Sequence, residues 1–175
     1  MKKVVVVIAL FFVTPLLFSQ NKISQNEIPD ALLGSWVINQ KGEGQIPSQI
    51  MRWKFSKTSS TEGESEFYWL FKRQEDKEFI TVAVIVGSLQ VKNDEFYSTM
   101  KKVGSMQKEP MVLEFYDTVK WYFPGDSLFE KTPKESSYHF EIKEDALILS
   151  MDYNKDGDFD DQGETQQYTK EVNPL

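Results

Sequence analysis

Short runs in which aromatic and aliphatic residues alternate with polar ones dominate this chain and restrict it to β structure. Met51, Trp53 and Phe55 alternate in this way, as do Phe67, Trp69 and Phe71, then Tyr138, Phe140 and Ile142, then Leu147, Leu149 and Met151. Successive side chains of a strand point to opposite faces, so each trio supplies one apolar face. The pattern predicts strands over 35–40, 49–56, 66–72, 79–86, 89–92, 95–103, 112–116, 118–123, 137–143, 146–152 and 165–171. No segment carries a helical stripe. Asn93-Asp94, Pro124-Gly125-Asp126 and Glu144-Asp145 lie between alternating runs, where polar turn residues allow short reversals and hence antiparallel neighbours. A parallel sheet needs crossovers of roughly a dozen residues or more, which most of these gaps are too short to hold. The polar stretch 56–65 reads as an exposed hairpin loop. A β-sandwich and a closed up-and-down barrel remain.

The N-terminus reads as an address. Met1-Lys2-Lys3 is basic, and the apolar run over 4–18 is too short to span a bilayer, so residues 1–20 have the pattern of a signal peptide with cleavage at 19–21. Residues 21–30 are polar, end in Pro29-Asp30, and read as a flexible lead into one domain over 31–172. The chain has no cysteine, which excludes both a lipid-modified cysteine and a disulfide framework. No later stretch is long and apolar enough for a membrane-spanning helix. The expected protein is therefore exported, periplasmic or secreted. Without Lys2 and Lys3 its net charge is −9, two units more negative than the −7 of the full chain, a balance that repels nucleic acid and anionic membranes.

Residues 152–164 pack six carboxylates and one lysine into thirteen positions. Oxygen-bearing residues at alternate positions followed by a glycine let a short loop wrap round a hard cation such as calcium. Asp152, Asn154 and Asp156 would give side-chain oxygens and Asp158 its carbonyl, with Asp160, Asp161 or Glu164 closing the set. The loop departs from the EF-hand pattern, because the twelfth position is Gly163 and the expected flanks are strands. A solvated hairpin loop is the other reading.

Two segments point from sandwich to barrel. Leu32-Leu33-Gly34-Ser35-Trp36-Val37 resembles the Gly-x-Trp opening of lipocalin-like domains, and the segment from Val86-Gly87-Ser88 through Asn93-Asp94 to Phe96-Tyr97 resembles the mid-domain hairpin of small bacterial lipocalin-like families. The closing segments, 146–151 and Tyr168-Thr169-Lys170, are similar to the end of such domains. The resemblance implies an all-β, antiparallel, up-and-down β-barrel with an interior suited to a small apolar ligand. Gly34 then lets the backbone bend at the closed end, and Trp36 plugs that end with an N–H that needs a partner. Trp53, Trp69 and Trp121 either fill the interior or line a pocket. The acidic loop is not a general lipocalin feature, so the resemblance says nothing about metal.

No catalytic constellation is legible. His139 is the only histidine, expected on the strand face opposite Tyr138 and Phe140, and no serine sits in a nucleophile elbow. Glu114 with Asp117 is one conceivable carboxylate pair among many acids. The chain thus reads as a non-enzymatic, monomeric binding protein for a small apolar ligand, with a calcium loop stabilising its last hairpin and no other cofactor. The alternative is a structural or protein-interaction module of the cell envelope. Interior volume separates the two.

Overall fold

The computed structural model of the protein describes residues 26–42, 47–73, 75–108 and 114–172. The signal peptide expected over 1–20 lies outside these residues. Among the described residues nine strands follow one another: β1 (Gly34–Gln40), β2 (Ser48–Lys57), β3 (Gly63–Lys72), β4 (Ile80–Lys92), β5 (Glu95–Gln107), β6 (Phe115–Tyr122), β7 (Glu135–Lys143), β8 (Ala146–Ser150) and β9 (Thr165–Lys170). Each pairs antiparallel with its neighbours, and β1 pairs with both β2 and β9. Eight of them close a ring in chain order, β1-β2-β3-β4-β5-β7-β8-β9. The chain is an all-β, closed, up-and-down barrel, as expected. β6 alone branches off, pairing with the second half of β5 while β7 pairs with its first half. Among the described residues no helix is long and apolar enough to cross a membrane.

The chain departs from the expected strand map at several points. β4 runs unbroken through Gly87 and Ser88, where a break was expected. Its register with β5 shifts there, and a Cβ on Gly87 would lie 2.2 Å from Ser98 Oγ. Glycine serves close approach across a bulge at this point, and the strand does not end. β6 likewise continues through Asp117, which points to solvent; residues 112–113 of the expected strand lie outside the described residues. The exposed loop expected over 56–65 shrinks to 58–62, because β2 and β3 pair as far as Lys57 and Gly63.

After the expected turn at Pro124-Gly125-Asp126 the chain forms a short helix, α1 (Ser127–Lys131). Asp126 fixes this turn by accepting the Phe123 N–H at 2.7 Å, and Phe129 is buried against Met100 and Val103. This one buried apolar residue, packed on the inner face of β4 and β5, holds the excursion in place. The lead is anchored at its end: Ile28 is buried in the main core cluster, and its N–H donates to the Ser60 carbonyl at 2.8 Å.

The two ends of the barrel differ. One carries the tight turns β4–β5 and β7–β8, where Asn93 and Glu144 take positive φ of 59° and 53°. This end is filled. Trp36 is fully buried among Leu32, Phe55, Leu147 and Tyr168, and its indole N–H donates to the Leu32 carbonyl at 2.8 Å. Gly34, at φ 106°, turns the chain into β1 in a conformation that favours glycine. The other end carries the longer connections, including α1 and the acidic loop.

Candidate functional site

A cavity of about 490 Å³ occupies the interior towards that second end. Its walls are the inner faces of the strands. Trp53 and Met51 come from β2, Phe67 from β3, Ile85 from β4, Met100 from β5 and Tyr138 from β7. Alternation delivers these residues, since Trp53 stands opposite Phe67 in the β2–β3 register. At the base the rings of Trp53, Phe55, Phe96 and Tyr138 lie between 5.0 and 5.6 Å apart, in edge and stacked arrangements. These geometries suit aromatic quadrupoles and give the pocket a stiff floor. The stretch Thr132–Ser136, which leads from α1 into β7, forms one more side, with Ser136 opposite Ser98.

Polar groups inside are few. Ser65 and Ser98 are buried, and their hydroxyl oxygens lie 2.7 Å apart. The Tyr168 hydroxyl donates to Gln166 Oε1 at 2.6 Å. Burial pushes the Tyr168 hydroxyl up to about 12 and raises that of Tyr138 further. Both phenols therefore stay neutral through the physiological range.

This burial sets an alkaline limit on the fold. Above the ordinary tyrosine value of 10.0 the unfolded chain holds fewer protons than the native one, so stability is full below that pH and is lost as pH rises through about 12. The urea midpoint should stay level from about pH 7 to 9 and decline above about pH 10. Tyr168→Phe should shrink the decline. A midpoint still level at about pH 11.5 would contradict the burial of these hydroxyls.

The three undecided tryptophans part company. Trp53 lines the cavity. Trp69 sits at the rim, 37% exposed, its N–H donating to Gln49 Oε1 at 3.0 Å. Trp121 is on the outside, with Lys102 Nζ 4.3 Å from its ring centre. His139 faces outward as expected, its Nε2 2.8 Å from Glu95 Oε1. Glu114 faces Lys108 at 3.9 Å, and neither Glu114 nor Asp117 lines the cavity.

The acidic loop joins β8 to β9 at the cavity mouth and straddles the rim. Met151 and Tyr153 line the cavity, whereas Phe159 packs outside against the His139 ring, centroids 5.0 Å apart. The side chains of Asp152, Asn154, Asp156 and Asp158 are turned onto the loop's own backbone. Asp152 accepts the N–H groups of Lys155 and Gly157. Asn154, Asp156 and Asp158 each accept the N–H two residues on, belonging to Asp156, Asp158 and Asp160. The Asn154 amide also donates to Asp156 and Asp161. These are Asx turns that fold the loop tightly, and Gly157 takes φ 94° at its bend.

Glu164 is different in kind. It is 4% exposed, its Oε1 accepts the Tyr153 N–H at 2.9 Å, and its Oε2 is buried without a partner among the described residues. A buried carboxylate oxygen left without a donor or cation is costly. The loop's oxygens are hard donors of the kind calcium takes, so the chemistry of the set fits that ion. Among the described residues, no three acidic or histidine side chains are drawn together closely enough to hold one.

The cavity residues outside the aromatic trios were not legible beforehand. Ser98 and Gln166 look like ordinary polar positions of alternating strands, Ser65 falls in the loop expected over 56–65 but lies in β3, and Thr132–Ser136 carries no periodic signal. No family model matches the chain, and comparison with curated proteins and with solved structures gives no match.

Proposed function

We propose that this chain is an exported, lipocalin-like barrel protein that binds a small apolar ligand in its interior and holds calcium in the β8–β9 loop. The observation that carries the reading is the cavity. Its volume of about 490 Å³ falls within the roughly 300–1,000 Å³ of small-molecule sites, and its wall is apolar with a few placed polar groups, as such sites are. A barrel serving only as a structural piece has no need of that space. Export rests on the N-terminal pattern over 1–20, and calcium on the orphaned Glu164 oxygen beside the Asp152-x-Asn154-x-Asp156-Gly157 spacing. The ion would pin the last hairpin, since β9 closes the ring onto β1.

Titrating the protein lacking residues 1–20 with the neutral apolar dye N-phenylnaphthylamine tests the ligand reading. Trp53 in the cavity wall places an energy-transfer donor beside the dye. One saturable site with transfer from tryptophan is expected. Dye fluorescence that rises without saturating, as on a generally sticky surface, would overturn the reading.

A further inference from the structure

We infer that the ligand is a neutral amphiphile whose single hydroxyl head rests on the Ser65–Ser98 pair, with its apolar body running up towards the mouth. The inference rests on the apolar-ligand reading above and adds the chemical class and the orientation. The pair is built by three adjacent strands. Ser65 on β3 stands in register with Gly87 on β4, and Ser98 on β5 occupies the space that any side chain at Gly87 would fill, 2.2 Å from where its Cβ would lie. Only a glycine lets two hydroxyls from β3 and β5 meet across β4. The pair lies low in the barrel, because Ser65 is opposite Phe55 in the β2–β3 register and Phe55 belongs to the cluster that fills the closed end.

The hydrogen-bond inventory of the pair is incomplete. Each hydroxyl offers one donor and two acceptor positions. Ser65 donates to the Ser88 carbonyl at 3.3 Å, which leaves Ser98 to donate to Ser65 across 2.7 Å. The Ser98 oxygen then has acceptor capacity facing the cavity and no donor among the described residues. A ligand hydroxyl supplies that donor, and it can accept instead if the two serines rotate the other way.

Charge selects the rest. The charged side chains on the cavity wall are Lys134 and Glu135, and they run beside the pair, since Ser136 stands opposite Ser98 and Glu135 opposite Thr99. Lys134 is already paired with Glu130. An ionised carboxylate at the serines would leave water to lie beside Glu135 and a lysine that Glu130 already neutralises, a large penalty. A carboxylate is therefore disfavoured at the floor, and a head unable to hydrogen-bond leaves Ser98 as it is.

Displacement of bound N-phenylnaphthylamine by decanol, chlorodecane and decanoate at neutral pH separates these cases, since the three share one chain and differ in the head. Decanol should displace the dye about five- to tenfold more tightly than chlorodecane, the worth of one hydrogen bond, and decanoate should be the weakest of the three. In Ser65→Ala/Ser98→Ala, decanol should fall to the level of chlorodecane. Equal displacement by decanol and chlorodecane in the natural protein, or decanoate as tight as decanol, would overturn the inference whether or not the double variant folds. A decanol preference that survives in a folded double variant would do the same. Absence of saturable dye binding would instead remove the apolar-ligand reading beneath it.

Discussion

Trp36→Ala should be the most damaging single substitution in the barrel, lowering stability by about 3–5 kcal/mol, the range for emptying a buried aromatic site. Trp36 is fully buried where the first strand begins and where β9 returns to close the ring, in register with Lys170. Its removal opens a void against Leu32, Phe55, Leu147 and Tyr168 and orphans the Leu32 carbonyl that its indole N–H satisfies. The surrounding elements are strands tied into a closed ring, so they have little freedom to collapse into the void. Trp36→Phe restores much of the volume but not the N–H, and should cost about 1–3 kcal/mol through the unpaired carbonyl and the residual gap. Urea unfolding checks both: the midpoints should rank natural protein, Trp36→Phe, Trp36→Ala, with an unchanged slope. Equal midpoints for Trp36→Ala and the natural protein would mean that this end is not a packed plug.

The second large effect is expected from calcium. An ion that binds only the native state at about a hundred times its dissociation constant adds roughly 2.7 kcal/mol. For a domain of this size that corresponds to a rise of about 5–10 °C in the melting temperature. Glu164 carries the more pointed test. Its buried Oε2 has no partner among the described residues, so in EDTA the carboxylate is a burden that Glu164→Gln lightens by removing the charge while keeping an acceptor for the Tyr153 N–H. Glu164→Gln should therefore be no less stable than the natural protein in EDTA, yet lose the calcium increment. Melts that superimpose with and without millimolar calcium would reduce the loop to a solvated turn. A marked loss of stability in Glu164→Gln without calcium would show that the carboxylate is already satisfied.

Much of the barrel could be read from the chain because its signals are local. The trios at Met51-Trp53-Phe55 and Leu147-Leu149-Met151 lie on inner faces since alternation along a strand fixes side-chain direction, and Asn93 and Glu144 turn the chain where polar residues interrupt it. Gly87 misled because a glycine within a run signals a bend or an end, whereas here its missing Cβ makes room for Ser98 on another strand. The branch of β6 from β5 and the return of α1 onto Met100 and Val103 depend on pairing across the barrel, which no local pattern encodes. The same holds for the site. Trp53, Trp69 and Trp121 sit in similar strand contexts, and only ring closure decides that the first lines the cavity, the second stands at the rim and the third faces out. Ser65 and Ser98 occupy inward positions with residues that usually mark the solvent side. In the acidic loop the spacing of Asp152, Asn154 and Asp156 was visible, but the burial of Glu164 was not, because it arises where β8 and β9 converge at the rim.

The central claim is that the interior of the barrel is the binding site, and the most direct measurement compares N-phenylnaphthylamine binding to the natural protein and to Met100→Trp. Met100 lines the cavity and is itself buried, so the larger ring projects into the space a ligand would occupy, while a thermal melt reports whether the barrel still folds. The account predicts one saturable site in the natural protein and at least about tenfold weaker binding in a folded Met100→Trp, as about 1.4 kcal/mol of steric exclusion would give. Equal affinity for the two proteins would contradict it, placing the dye on the outer surface and leaving the cavity without a role.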